Sequence, residues 1–322
     1  MLHYLITGGA GFIGTHLSLR LLGKGRQVTV LDNLSTGCTE RFAGTPVRLV
    51  AGSVTDRDLV FSLASCCDYI IHLACVVGVR LAMARGCETL RLSYVGTENV
   101  LEAATLYDRG VFVASSSAIY GKIRHFPVSE EDDSLLGASK KASWLYSVGK
   151  LVEEHLALAY FRERGTEVKT GRFFNVIGPY QTGSYGMVVP RFITRALQNE
   201  PLPVYEKGLQ TRTFGYIEDV LDGMELVLDK GLTGEIYNIG GTGEISVLAL
   251  AHKIINLTGS RSAVEFIPYT TAFGPDFEET ARRIPDISRL AALGYRPKYS
   301  LDDALAEIIA HHRRTFPAAH SG

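Results

Sequence analysis

Residues 3–14 read His3-Tyr4-Leu5-Ile6-Thr7-Gly8-Gly9-Ala10-Gly11-Phe12-Ile13-Gly14. A short apolar strand runs into a glycine-rich turn, and the turn opens a helix predicted over residues 11–24. Gly8, Gly11 and Gly14 stand at GxxGxxG spacing. Glycine in such a place permits a tight turn, lets backbone amides approach a pyrophosphate, and lets the helix pack closely on the strand. The start of the helix adds unpaired N–H groups and the positive end of its dipole. A second strand, residues 27–32, ends on a carboxylate 18 positions past Gly14. That is close to the ~20 expected for an acid that accepts from ribose hydroxyls.

Working outward, strands are predicted at 47–51, 69–73, 110–114 and 167–173, with helices at 88–108 and 147–164. Strands separated by helices of this length imply a parallel sheet with right-handed crossovers. The expected fold class is α/β, a Rossmann-like doubly wound parallel sheet with a smaller, interleaved C-terminal substrate domain. After Gly178-Pro179 the loops become richer in Gly, Pro and Tyr, which suits a substrate-covering unit. A helix near 217–228 and a strand at 236–239 return to the sheet. The expected domains are therefore residues 1–174, with a return segment at about 212–241, and residues 175–316. No Arg or Lys directly follows Asp32, and a carboxylate repels a 2′-phosphate, so NAD is expected rather than NADP.

The 322 residues are 46% hydrophobic, with 33 basic and 34 acidic side chains and a net charge of −1. That balance argues against nucleic acid or an anionic membrane as partner. No apolar run reaches the ~18 residues of a membrane span, and the start lacks the pattern of a secretory signal. A soluble cytoplasmic protein is expected. The five cysteines, an odd number with Cys66 and Cys67 adjacent, read as reduced thiols. The nine histidines have no zinc-type spacing, so no metal is expected. His311-His312 is expected at the surface of a polar helix.

A serine run, Ser115-Ser116-Ser117, precedes Tyr146 and Lys150. Tyrosine, with a free pKa of about 10, is a poor base at neutral pH. A nearby lysine ammonium and a cationic nicotinamide favour its phenolate. At positions i and i+4 the two side chains share one helix face. Ser116 and Ser117 both qualify to hold a substrate hydroxyl and relay its proton.

On these pieces the chain resembles an extended short-chain dehydrogenase/reductase of the nucleotide-sugar epimerase, dehydratase and decarboxylase group. The matching stretches are 7–14, His72-Leu73-Ala74, SSSAIYG at 115–121, 146–150, FNVIGP at 174–179, QTRTF at 210–214 and RIPDI at 283–287. The resemblance implies NAD held by Gly8, Gly11, Phe12, Ile13, Gly14, Asp32, Asn33, Leu73 and Ala74, with Tyr146 and Lys150. It also implies a UDP-sugar substrate, contacted through its diphosphate by Asn175 and Arg212, and a homodimer built on the helices at 88–108 and 147–164. Two positions depart from the group: Ser53 stands where an acidic adenine contact is usual, and Ser93 where an asparagine is usual.

Members of the group share a first step, oxidation of the sugar at C4, and differ in the fate of the resulting 4-keto sugar. Dehydratases carry acids after the serine run, and decarboxylases a glutamate just before its VYG-type end; that position is Ala118 here. Alanine transfers no proton, which leaves epimerisation. The stretches 141–150 and 273–287 resemble enzymes acting on UDP-glucuronate. The leading expectation is a UDP-glucuronate 4-epimerase that oxidises C4, turns the 4-keto sugar over and returns the hydride. A 4-keto uronate loses carbon dioxide easily, so its carboxylate needs restraint. Arg191 is the first candidate for that role, with Arg80 and Arg283 behind it. The alternatives are a UDP-glucose 4-epimerase, a UDP-glucuronate decarboxylase, or a non-catalytic NAD(H)-sensing protein, which would be expected to lose the Tyr/Lys pair.

Overall fold

Seven strands pair in parallel in the computed structural model, which describes residues 1–315 apart from Tyr185. They are β1 (His3–Thr7), β2 (Gln27–Asp32), β3 (Arg48–Ala51), β4 (Tyr69–His72), β5 (Gly110–Ser116), β6 (Val168–Phe173) and β7 (Ile236–Ile239). Their order across the sheet is β7-β6-β5-β4-β1-β2-β3. Successive strand residues face opposite sides, and both sides are covered. Leu5, Ile70, Val111 and Val113 pack with Val100, Leu101 and Ala104 of helix Thr97–Tyr107. Their neighbours Ile6, Ile71 and Phe112 pack on the other side with Leu17 and Leu21 of α1 (Phe12–Gly23) and with Val220 and Met224 of helix Ile217–Lys230. Burial on both faces is why β1 and β5 carry continuous apolar runs, Tyr4-Leu5-Ile6 and Val111-Phe112-Val113-Ala114, rather than alternation. Each fully buried Leu or Ile contributes roughly 1.5–3 kcal/mol.

The strand order reverses between β1 and β4, and in open parallel sheets that switch point is where a crevice opens beyond the strand ends. Thr7, Asp32, His72 and Ser116 are the last residues of β1, β2, β4 and β5, so the chain delivers four polar side chains to one edge.

Beyond β6 the chain adds smaller pairings: Leu202–Tyr205 runs parallel to Val264–Ile267, and Thr211–Thr213 antiparallel to Glu244–Ser246. Helices Val188–Leu197 and Leu301–Thr315 send Val189, Phe192, Leu305 and Ile308 into the same apolar cluster that covers the β1–β4 face.

Three local expectations are corrected. The helix foreseen at 88–108 is instead Gly86–Arg91, a π turn at Leu92–Gly96 and helix Thr97–Tyr107. The helix foreseen from residue 147 is α2 (Leu145–Arg164), which begins earlier and puts Tyr146 in its first turn. His312 is 4% exposed and bonds through Nδ1 to the Ile308 carbonyl; the helix turns it inward onto the apolar cluster rather than outward.

A buried polar network locks α2 to β6. Arg172 donates from Nε and Nη2 to the Glu154 carboxylate at 3.0 and 2.9 Å, and from Nη1 to the Tyr120 hydroxyl at 2.8 Å. Tyr120 in turn donates to Asn238 Oδ1 of β7 at 2.7 Å. Removing one partner of a buried pair leaves the other charge uncompensated. Glu154→Gln is therefore expected to destabilise the fold by about 3–5 kcal/mol, read as a lower urea midpoint at unchanged slope.

Candidate active site

The glycine turn is shaped by what lies against it. Gly8 has φ +67°, and a Cβ on it would lie 2.8 Å from the Ala74 backbone. A Cβ on Gly14 would lie 2.5 Å from the Gly9 Cα. The cradle is thus open only because side chains are absent, and Gly11, Phe12, Ile13, Leu73 and Ala74 line the same cleft of about 550 Å³. Asp32 closes its far end, 8% exposed, accepting from the Ala10 and Leu34 amides at 3.0 and 2.8 Å. Burial raises its pKa, and the two amides partly offset that. Asn33 beside it is exposed and accepts from the Ser35 amide. Ser53 also lines the cleft, while Asp56 is occupied capping helix Arg57–Ala64.

The serine run, Tyr146 and Lys150 line this cleft too. Lys150 is 2% exposed, donating to the Ala114 carbonyl at 2.7 Å and to Glu153 Oε2 at 2.8 Å. Its Nζ lies 5.9 Å from the Tyr146 ring centre. Burial pushes the Tyr146 pKa up to about 12, the Cys75 thiol adds to this, and the Lys150 charge and a hydrogen bond with Ser116 oppose it. Ser116 is the hydroxyl that meets Tyr146; Ser117 is 2% exposed in the 3-10 turn after β5. The Ala118 methyl lines the cleft, and its amide donates to Ser116 Oγ at 3.2 Å. His72, bonded to Thr7 and Thr97, has its pKa driven to about 3 by burial and is neutral.

The polar side chains of the second unit sort into groups that their spacing did not reveal. Asn175, at φ 21°, donates to the Thr213 carbonyl at 2.9 Å. Arg212 donates to Glu279 at 2.5 Å and to the Thr211 carbonyl at 2.7 Å. Arg191 and Arg80 both donate to the Tyr205 hydroxyl, at 2.6 and 3.2 Å. Arg283 interacts electrostatically with Tyr146; burial lowers its pKa to about 10. Its Nη2 donates to Thr280 at 3.1 Å, and its buried Nε has no partner among the described residues. Arg283 thus has its charge felt together with that of Tyr146, and Arg191 also keeps a buried Nε without a partner among the described residues. Sequence reasoning passed over Glu153, Cys75, Tyr205 and Glu279. Glu153 alone had a readable signal, three positions past Lys150 on the same helix.

The NAD dependent epimerase/dehydratase family pattern matches residues 4–240. The chain belongs to that family. NAD is accordingly its cofactor, and the glycine cradle with Asp32 at its end fits a dinucleotide. The chain is 38% identical, over 96% of its length and 97% of the relative's, to a UDP-N-acetyl-alpha-D-glucosaminuronate decarboxylase of Bacillus cytotoxicus. It is 33% identical to UDP-glucuronic acid decarboxylase 1 of Danio rerio, covering 96% of this chain and 72% of that one. Its fold superposes with a TM-score of 0.87 on a UDP-glucuronic acid 4-epimerase of Bacillus cereus solved with UDP-glucuronic acid and NAD, at 27% identity, covering 98% of this chain and 100% of that one. Among the described residues no helix is long and apolar enough to cross a membrane, and no cluster of His, Cys, Asp or Glu could hold a metal ion.

Because a side chain at Gly8 would meet the Ala74 backbone and the residue sits at positive φ, Gly8→Ala is expected to weaken NAD binding at least tenfold, as read by titration calorimetry.

Proposed function

We propose that the protein is a UDP-glucuronate 4-epimerase, interconverting UDP-glucuronate and UDP-galacturonate. The observation that carries this reading is Ala118: the cleft wall beside Ser116 presents a methyl group where the decarboxylases carry a glutamate. Support for a uronate substrate comes from Arg283, coupled to Tyr146 and with its buried Nε unpaired. The named substrates of the relatives above, all UDP-uronates, agree.

Bound NAD supplies the reversible acceptor for the hydrogen at C4. Tyr146 takes the proton of the 4-hydroxyl as phenolate, with Lys150 supplying the positive charge that favours that form. Ser116 holds the same hydroxyl and carries its proton to Tyr146. Asn175 and Arg212 are the proposed diphosphate contacts, the guanidinium suiting phosphate oxygens. The pair Arg80 and Arg191, turned toward Tyr205, completes that polar wall. Arg283 grips the carboxylate by two parallel N–H donors. A 4-keto uronate is a β-keto acid, and the bond to its carboxylate weakens when the carboxylate stands perpendicular to the carbonyl plane. Fixing that orientation protects the sugar while it turns over and regains hydrogen on its other face.

A second reading, decarboxylation of the same 4-keto uronate, is favoured by the 38% and 33% identical relatives. Incubation with UDP-glucuronate, and separately with UDP-N-acetylglucosaminuronate and with UDP-glucose, followed by chromatographic separation of the products, decides between them. UDP-galacturonate without carbon dioxide release is expected from the first. UDP-xylose or its 4-keto precursor as main product would overturn the epimerase reading, and turnover confined to UDP-glucose would overturn the uronate. Tyr146→Phe is expected to lower kcat by about 100- to 10,000-fold, the span of a general base. Unaltered activity in that variant would refute the mechanism. A homodimer is proposed through the helical segments 86–107 and 145–164, where Tyr94, Leu106 and Val148 are exposed; light scattering should give twice the chain mass.

A further inference from the structure

Glu153 is a buried carboxylate that the mechanism above leaves unused. It is 1% exposed, and its Oε2 accepts from Lys150 Nζ at 2.8 Å. Its Oε1 is buried without a well-formed hydrogen bond. Across from it, the π turn Leu92–Gly96 brings the Ser93 side chain against α2. The fit there is close: a Cβ on Gly149 would lie 2.6 Å from Ser93 Oγ. Burial raises the pKa of Glu153 and Glu154 adds to this, while Lys150 and Ser93 oppose it by favouring the charged form. Two of this site's departures from ordinary helix surface therefore meet: a serine where an asparagine is usual in the group, and an acid turned inward one helical step past the lysine.

Lysine has three N–H donors and no acceptor. The Ala114 carbonyl and Glu153 take two of those of Lys150, and the Cys75 side chain also lies within hydrogen-bonding reach. The other groups facing this centre are His72, which is neutral, and Tyr146, itself faced by Ser116, Cys75 and Arg283. Among the described residues, Glu153 is thus the one carboxylate bonded directly to the ammonium on which the phenolate depends.

We propose that Glu153 is a positioning residue for Lys150. It clamps the ammonium between its own carboxylate and the Ala114 carbonyl, and it counterbalances the charge, so that Tyr146 answers to an ion pair rather than to a lone cation. This rests on the reading of Tyr146 as the base. A lone cation would hold the phenolate down to lower pH; the ion pair holds it less strongly, so Glu153 sets Tyr146 to ionise at higher pH than Lys150 alone would allow.

The test is a spectroscopic titration of the NAD-loaded protein, following phenolate absorbance as the difference between each protein and its Tyr146→Phe counterpart. Glu153→Gln keeps the shape and a hydrogen-bond acceptor but removes the charge. Its Tyr146 midpoint is expected to fall by about one pH unit, the size of one charge acting through partly screened protein. Glu153→Asp keeps the charge and is expected to hold the midpoint of the unaltered protein. A Glu153→Gln midpoint that coincides with the unaltered one, or a Glu153→Asp midpoint that falls as far, overturns the proposal. If Glu153→Gln does not fold, Ser93→Ala serves instead. Loss of a group that favours the Glu153 charge should lower the midpoint by a smaller amount, and no change overturns the proposal. No sugar is present in the titration, so a product other than UDP-galacturonate would count against the proposed function and leave this result standing.

Discussion

The Lys150 ammonium lies 2% exposed where α2 crosses the end of β5, 2.7 Å from the Ala114 carbonyl. A charge held that far from water needs partners on every donor, and much of the site can be understood as meeting that need. The end of β5 supplies a carbonyl, the next helical turn supplies Glu153, and the π turn at Leu92–Gly96 brings up Ser93 behind it. The charge is then available one turn back along α2, at Tyr146, where burial alone would keep the phenol protonated. Without the buried cation, burial would keep the Tyr146 phenol protonated to a still higher pH.

That arrangement depends on long-range packing. β5 and β6 pair over six residues, and the Arg172–Glu154 pair ties α2 back onto β6. The position of Tyr146 over the end of β5 therefore depends on contacts made two turns further along its helix, at Glu154. The same sheet sets the cofactor cradle, because the strand order reverses between β1 and β4 and leaves Gly8 against Ala74. Cradle and base share one crevice because the cradle follows β1 and Tyr146 meets Ser116 at the end of β5, and both strands end on the same carboxyl edge of the sheet.

Much of the fold and site is legible in the sequence where the signal is local. The glycine turn, Asp32 at the tip of β2 and the i, i+4 pair Tyr146 and Lys150 are short-range patterns whose geometry is set by one turn or one helix. The illegible part involves residues far apart in sequence. Nothing local distinguishes Ser116 from Ser117; the 3-10 turn after β5 does so by directing only Ser116 to Tyr146. Nothing local ranks Arg80, Arg191 and Arg283 either. The first two meet at Tyr205, 125 and 14 residues away, and the third acts electrostatically with Tyr146 from a segment more than a hundred residues downstream. His312 failed as a surface expectation because a polar helix still has one apolar face, and that face packs on the cluster shared with the sheet.

The amino-acid sequence by itself determined the parallel α/β sheet, the dinucleotide cradle and the tyrosine–lysine pair, because strand periodicity, glycine sterics and helical spacing act over a few residues. Only the tertiary structure decided which serine faces the base, which arginine's charge is felt there, and that the face carrying Lys150 and Glu153 is turned inward. Those outcomes depend on where distant segments are forced together by packing, and on which buried charges must then find one another.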